Sequence, residues 1–342
     1  MNIDFVILAA GKGTRMGGDS PKVLASLAGQ PMLQNLINTT NDFKQSKRVL
    51  VVGYKANEVK RLIKTTKKTD WVKQNKQLGT ARAVKQALKS LRRGSIAVIL
   101  YGDVPLVSYS TLNKLVNQAK KDSLALLTFN KEIPHGYGRI VRKGKHAIDK
   151  IVEEKDASPS QKEITEVNSG IMAVKTRYLS KLIPQVQNNN AAKEFYLTDI
   201  VSLANKSKIN VKALMLKDNV EVLGANNPQE LHDLERAFQK RNAEDLISSG
   251  VYVADSMRLD IRGETDIGRG SFVDVNSVFE GNNKIGQRVS IGPGCFISNS
   301  VIKNEINQGG IFVKEISPVM KINLRGKKRE FLTNIGKSLN MI

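Results

Sequence analysis

The chain has 342 residues, 40% hydrophobic and 5% aromatic, with 54 Lys and Arg against 32 Asp and Glu for a formal net charge of +22. Such a length suffices for two domains with buried cores, and so few aromatics argue against a base-stacking surface. No apolar run approaches the ~20 residues of a bilayer span, and the single cysteine, Cys295, excludes an intrachain disulfide and favours a reducing compartment.

The opening "MNIDFVILAAGKG" places an acid before a short apolar run and offers no small-residue cleavage site. It reads as a first strand over 3–9 and not as a signal peptide, so a cytoplasmic location is expected. The next stretch, "LAAGKGTRMGGDSPK" (8–22), combines glycines with Lys12, Arg15 and Lys22. Glycines let a ligand approach the backbone, and exposed N–H groups beside cations attract negative charge. The spacing fits neither the P-loop nor the dinucleotide fingerprint, so a phosphate site of another kind is expected.

Further strands are predicted at 47–54, 95–103 and 123–130, separated by helices near 31–41, 55–66, 79–92 and 109–121. More strands follow at 138–142, 147–153, 167–175 and 209–216. This alternation predicts a layered α/β domain with a largely parallel sheet. The opening loop and "YGDVP" (101–105) both follow predicted strands, which puts them at the carboxyl edge where open α/β sheets bind ligands.

"NNPQELHDLERAFQKRNAEDLISSG" reads as a connecting helix with Asn227 as N-cap, Pro228 at its first position, Glu230 in the capping-box position and Gly250 as the stop. Then the period changes. Ile261, Ile267, Val273, Phe279, Ile285, Ile291 and Ile297 recur every six residues, each followed four positions on by Thr265, Ser271, Ser277, Asn283, Val289, Cys295 or Val301. Six-residue spacing predicts a β-solenoid whose short strands each turn one apolar side chain inward. The repeat stops at Lys303, and the basic tail 303–342 is left either as a cap on the coil or as an unordered segment.

Taken singly, the candidate residues stay ambiguous. Asp103 at a strand end is either a Mg²⁺ ligand or the cap of a turn. Lys22 alone reads as a surface lysine, Glu153 and Glu154 either pair with Lys155 or face solvent, and Asn168 and Asn226 read as turn residues. His135, His146 and His232 lack metal-ligand spacing, which argues against zinc, and no nucleophile–base arrangement stands out. The cations recur in short groups such as "KTTKK" and "RGKKRE" without a dominant block, and are read as solvated surface, with no specific nucleic-acid partner and no membrane.

In order, "LAAGKGTRM…PK", "QLGTA", "YGDVPL", "GYGRI", "VEEKDA", "VNSGI", "FYLTDI" and "GANN", followed by the arm and the hexads, resemble the bacterial N-acetylglucosamine-1-phosphate uridylyltransferases over roughly residues 3 to 302. The resemblance implies a Rossmann-like sugar-nucleotide pyrophosphorylase domain (1–226), a linker helix (227–250), a short left-handed parallel β-helix (251–302) and a non-repeat tail (303–342). It makes Leu8, Ala9, Ala10 and Gly11 a nucleotide cradle, and Arg15 and Lys22 the counter-charges of the UTP phosphates. Gln74, Gly79 and Thr80 match uracil-reading positions, and Asp103 and Asn226 match Mg²⁺ ligands. Gly138, Glu153 and Asn168 match contacts to N-acetylglucosamine, with Tyr101 and Gly102 between the two halves.

The reaction so implied is Mg²⁺-dependent uridylyl transfer from UTP to N-acetylglucosamine 1-phosphate, for peptidoglycan and lipopolysaccharide precursors. Ala81 and Arg82 stand where the family often has Gly-His. The family's longer β-helix carries an acetyltransferase and mediates a homotrimer; its acetyl-transfer motifs are not found here, so that activity is expected to be absent. The alternatives are another sugar-1-phosphate nucleotidyltransferase of the same fold, or a basic nucleic-acid-binding or assembly protein on this scaffold.

Overall fold

A computed structural model of the chain describes residues 1–65, 68–144, 147–304 and 311–313. His146 and all but residues 303–304 and 311–313 of the expected tail lie outside the described residues. The chain divides into two compact units, Met1–Glu235 and the part from Arg236 onward.

The first unit begins with β1 (Ile3–Ala9), a short hairpin of β2 (Ser26–Leu27) and β3 (Gln30–Pro31), α1 (Met32–Asn41), β4 (Ser46–Val52) and α2 (Ala56–Leu62). Then come β5 (Thr69–Lys73), α3 (Thr80–Ala87), β6 (Ile96–Tyr101), α4 (Tyr109–Lys120), β7 (Ser123–Asn130), β8 (Arg139–Lys143) and β9 (Ala147–Val152). It continues through α5 (Pro159–Lys162), β10 (Glu166–Lys175), α6 (Thr176–Leu182), α7 (Ile200–Lys206) and β11 (Asn210–Met215).

Nine of these strands form one sheet in the order β11-β7-β10-β6-β1-β4-β5, with β8 on β10 and β9 on β8. β1, β4 and β6 are apolar on both faces, the signature of strands buried in a parallel sheet. Phe5, Ile7 and Ala9 face the core built with α1, α2 and α4. Val6, Val49 and Val51 face the core built with α3, α6 and α7. The result is a three-layer α/β unit.

Two strands run against the rest of the largely parallel sheet, β10 and β9, the latter antiparallel to β8. β10 runs antiparallel to both β6 and β7 and is bulged between Asn168 and Met172. β5 is not expected from the sequence, because Thr69, Asp70 and Trp71 show no apolar run; it is an edge strand, where one flank stays open. The helix expected over 55–66 ends at Leu62, and that over 79–92 tightens into a 3₁₀ turn at Leu88–Ser90. No helix among the described residues is long and apolar enough to cross a membrane.

The helix α8 (Pro228–Ser248) starts in the first unit and ends in the second. Asn227 Oδ1 accepts from the Glu230 N–H at 2.8 Å, so Asn227 caps it as its residue type predicts. Beyond it lie β12 (Tyr252–Val253), β13 (Leu259–Ile267), β14 (Phe272–Val273), β15 (Ser277–Ile285), β16 (Val289–Ile291), β17 (Phe296–Ser298), β18 (Val301–Ile302) and β19 (Ile311–Val313). Ile261 lies opposite Phe279 and Phe279 opposite Ile297, all in parallel, so one coil takes three hexads.

All seven hexad residues from Ile261 to Ile297 are buried. Of the small residues four places on, Ser271, Ser277, Asn283, Val289 and Cys295 are buried too. The Ser271 hydroxyl donates to Gly286 O at 2.9 Å and accepts from Val289 N at 3.0 Å, so a small polar side chain ties one coil to the next. Val301 breaks the expected pattern: it is 74% exposed, and the offset slips there, Ile285 lying opposite Ile302.

Candidate active site

The site grows from the carboxyl ends of β1 and β6. The chain leaves β1 towards β4 on one side while β6 flanks β1 on the other, and a crevice opens at such a switch point. Leu8 lies opposite Tyr101, and Gly102 N–H donates to Leu8 O at 2.9 Å. The glycine-rich loop and Asp103 therefore emerge side by side.

Gly13 has φ +71°, a left-handed conformation that favours glycine, and a Cβ there would collide with that of Lys22. Its carbonyl accepts from Met16 N at 3.0 Å, closing the turn that carries Arg15. Arg15 is exposed and makes no ion pair among the described residues. Asp19 anchors the far end of the loop, accepting from Tyr54 Oη at 2.6 Å and Lys55 Nζ at 2.7 Å. The bonds from Lys55 and Tyr54 hold the Asp19 carboxyl below its usual range.

Lys22 is not the surface lysine its sequence neighbours suggest. Its side chain is 12% exposed; Nζ pairs with Asp103 Oδ2 and donates to Asn226 Oδ1 at 2.6 Å. Asn226 is held in turn by Glu230, whose Oε2 accepts from Asn226 N at 2.7 Å and Nδ2 at 2.8 Å.

A cavity of about 410 Å³ opens beside this group. Leu8, Ala9, Ala10, Gly11, Arg15, Lys22, Gln74, Gly79, Thr80, Tyr101, Asp103 and Asn226 all line it. Gly102 lies buried beneath, against Val23 and the Leu8 carbonyl. Gly79 has φ +107°, and a Cβ there would come within 2.5 Å of Phe195 O. That close approach comes from Phe195 N donating to Leu78 O and Ala81 N donating to Phe195 O, both at 2.9 Å.

Gly138, Glu153 and Asn168 do not line this cavity and form a second cluster. Asn168 N donates to Gly138 O at 2.8 Å, and the Glu153 carboxylate lies 3.4 Å from where a Gly138 Cβ would stand. Asn168 is buried, and its Oδ1 has no hydrogen-bond partner among the described residues, an acceptor in want of a donor. Glu153 is half-buried and accepts from Thr198 Oγ1 at 2.8 Å; desolvation pushes its carboxyl above the usual range, with the hydroxyl opposing. Burial raises the Tyr101 phenol well above the ordinary value, and the carboxylates of Glu153 and Asp103 add to the rise.

Two expectations about the acids are corrected. Glu154 pairs neither with Lys155 nor with solvent but with Arg139, at 2.7 Å, and that guanidinium is itself buried. Glu153 faces Thr198. Sequence reasoning also missed Gln77, whose amide donates to Ala10 O, and Glu194, which lines the cavity. It read Glu230 only as a capping residue, although the four-residue spacing from Asn226 at a helix start is a visible signal.

Chemically, the first cluster offers cations and loop backbone to a polyanion, and two oxygen donors to a hard cation. The second offers hydrogen bonds to a polar, uncharged group.

Residues 5–163 match the MobA-like NTP transferase domain family. The chain is 45% identical over 297 residues to a protein named bifunctional protein GlmU from Idiomarina loihiensis, covering 87% of this chain and 65% of that protein. It is 42% identical over 301 residues to the protein of the same name from Nitrosococcus oceani, covering 88% and 66%. The chain thus spans just under two thirds of the length of these curated relatives. Among solved structures, a UDP-glucose pyrophosphorylase complexed with UDP-glucose aligns with TM-score 0.59 and 14% identity over 70% of this chain and 100% of that one. HddC from Yersinia pseudotuberculosis aligns with TM-score 0.50 and 21% identity over 69% and 99%. These structural likenesses show the fold, a Rossmann-like α/β domain.

Proposed function

The chain is a homologue of the GlmU proteins and carries an NTP transferase domain, and from that premise we propose that it transfers the uridylyl group of UTP to N-acetylglucosamine 1-phosphate. The products are UDP-N-acetylglucosamine, a precursor for cell-envelope polymers, and pyrophosphate. One observation carries the reading: Lys22, Asp103 and Asn226, from three distant parts of the chain, converge beside the glycine-rich loop.

The donor set fits Mg²⁺. The Asp103 carboxylate and the Asn226 carbonyl are both hard oxygens within reach of one atom, Lys22 Nζ, while the Asn226 amide nitrogen is committed to Glu230. Asp103 and Asn226 would hold the ion, which when bound supplies positive charge to the phosphate oxygens.

An oxygen of the sugar phosphate attacks the α-phosphorus in line, and the bond from that phosphorus to the departing pyrophosphate breaks. Such a transfer asks the protein for positioning and charge stabilisation, not for a covalent nucleophile. Arg15 and Lys22 balance the charge of the UTP phosphates and of the leaving pyrophosphate, and the backbone of Leu8–Gly11 follows the nucleotide. Gln74, Gly79 and Thr80 read the uracil. Gly138 leaves room for the sugar, Glu153 and Asn168 hold it, and Tyr101 and Gly102 separate the two halves. The buried Asn168 Oδ1 supports this side, because it needs a donor such as a sugar hydroxyl or an amide N–H. A left-handed coil and a homotrimer through it complete the reading, and light scattering tests the trimer.

The test is pyrophosphate release with UTP and Mg²⁺, offering N-acetylglucosamine 1-phosphate, glucosamine 1-phosphate and glucose 1-phosphate in parallel, with CoA release from acetyl-CoA followed in the same run. Preference for the N-acetylated sugar supports the proposal. Faster turnover with glucose 1-phosphate, or none with any sugar, overturns it. CoA release would overturn the expectation that acetyl transfer is absent.

A further inference from the structure

We infer that Glu230 is a positioning residue that fixes which end of the Asn226 side-chain amide faces the reacting phosphates. The inference rests on reading Asn226 as an oxygen donor to the metal. A side-chain amide has nearly the same shape either way round, so only its hydrogen-bond partners choose its orientation. Glu230 makes that choice. Its Oε2 accepts from both the backbone N–H and Nδ2 of Asn226, which leaves Oδ1 turned to Lys22 and Asp103. A flipped amide would set its oxygen against the carboxylate, two acceptors facing each other.

Lys22 holds the same amide from the other end, but its hold is exchangeable. Its ammonium sits on a flexible stem and lines the cavity where the phosphates compete for it. Glu230 does not line the cavity. It is itself fixed twice by Asn227: its N–H donates to Asn227 Oδ1, and its Oε1 accepts from Asn227 Nδ2, each at 2.8 Å. The cap of α8 therefore also templates the site, and keeps Asn226 oriented once Lys22 has turned to the nucleotide.

The experiment compares wild type with Glu230→Ala, Glu230→Met and Glu230→Gln. Gln keeps one oxygen able to accept both Asn226 bonds, and Met keeps the length of the side chain without an acceptor, should Ala fail to fold. Mn²⁺ binding in the presence of UTP is read from loss of the free-ion electron paramagnetic resonance signal, alongside kcat and KM for both substrates. Glu230→Ala and Glu230→Met should weaken Mn²⁺ binding about 10- to 100-fold, the usual cost of losing a partner that orients a metal ligand. KM at saturating metal should stay unchanged, and Glu230→Gln should bind Mn²⁺ close to wild type. Wild-type Mn²⁺ affinity in Glu230→Met, or a Glu230→Gln as damaged as Glu230→Met, overturns the inference. A wild type that binds no Mn²⁺ and turns over without divalent metal overturns the reading of the site, and the inference with it.

Discussion

Lys22 Nζ donates to Asn226 Oδ1 at 2.6 Å although 204 positions separate the two residues. The bond joins the loop after the first strand to the turn before α8, and Asp103 completes the group. On the proposed reading, a charge so placed acts on the transferring phosphate. Lys22→Met should lower kcat about 10²- to 10³-fold, as removal of a single stabilising donor does in other active sites. Steady-state pyrophosphate release checks this, and an unchanged circular dichroism spectrum separates it from unfolding. A variant as fast as wild type would show the ammonium to be only structural.

Gly79 is constrained twice, by φ +107° and by the Phe195 carbonyl 2.5 Å from a Cβ position. Gly79→Ala should cost about 1–3 kcal/mol of stability, the range for a residue forced into a sparsely populated backbone region. Urea denaturation measures it. The same change should raise KM for UTP more than for the sugar phosphate, because Gly79 lines the cavity proposed for the nucleotide and lies outside the Glu153 cluster.

Glu153 gives a pH dependence with a definite sign. Burial raises its folded pKa above the ordinary 4.5. Between those two values the folded state keeps a proton that the unfolded state has lost, so this group's contribution to stability falls as pH rises through the window. Glu153→Gln removes the effect. The variant should gain stability relative to wild type on going from near pH 4.5 to mildly alkaline buffer, while its KM for the sugar phosphate rises. A stability difference that does not change with pH would contradict the assignment.

The hexads are not equivalent. Phe279 is fully buried in the coil, and Phe279→Ala should cost about 3–5 kcal/mol. Val301, in register by sequence but 74% exposed, should tolerate Val301→Ala within about 0.5 kcal/mol. Thermal denaturation of the two variants side by side decides.

Glu153 and Asp103 show where reading the chain succeeds and where it stops. Their motifs could be picked out from residue order, but the partners could not. Thr198 and Lys22 reach them from 45 and 81 positions away. Glu154 went astray for the same reason: its neighbour Lys155 was in view, whereas Arg139 becomes its partner only when β8 and β9 pair.

Local order and spacing were enough for the buried parallel strands, the cap of α8 by Asn227 and the six-residue period of the coil. Each of these depends on which face of an element is apolar, or on a side chain reaching a few residues along its own backbone. Folding alone decided that β10 enters the sheet antiparallel with its bulge, that β5 forms an edge, and that the residues proposed for the nucleotide and for the sugar divide into two clusters. Glu230, legible in the sequence as a helix cap, also holds Asn226 four residues away. A periodic pattern reports burial, because burial repeats along an element. Polar contacts between distant segments do not repeat, and only the order of strands in the sheet brings their ends together.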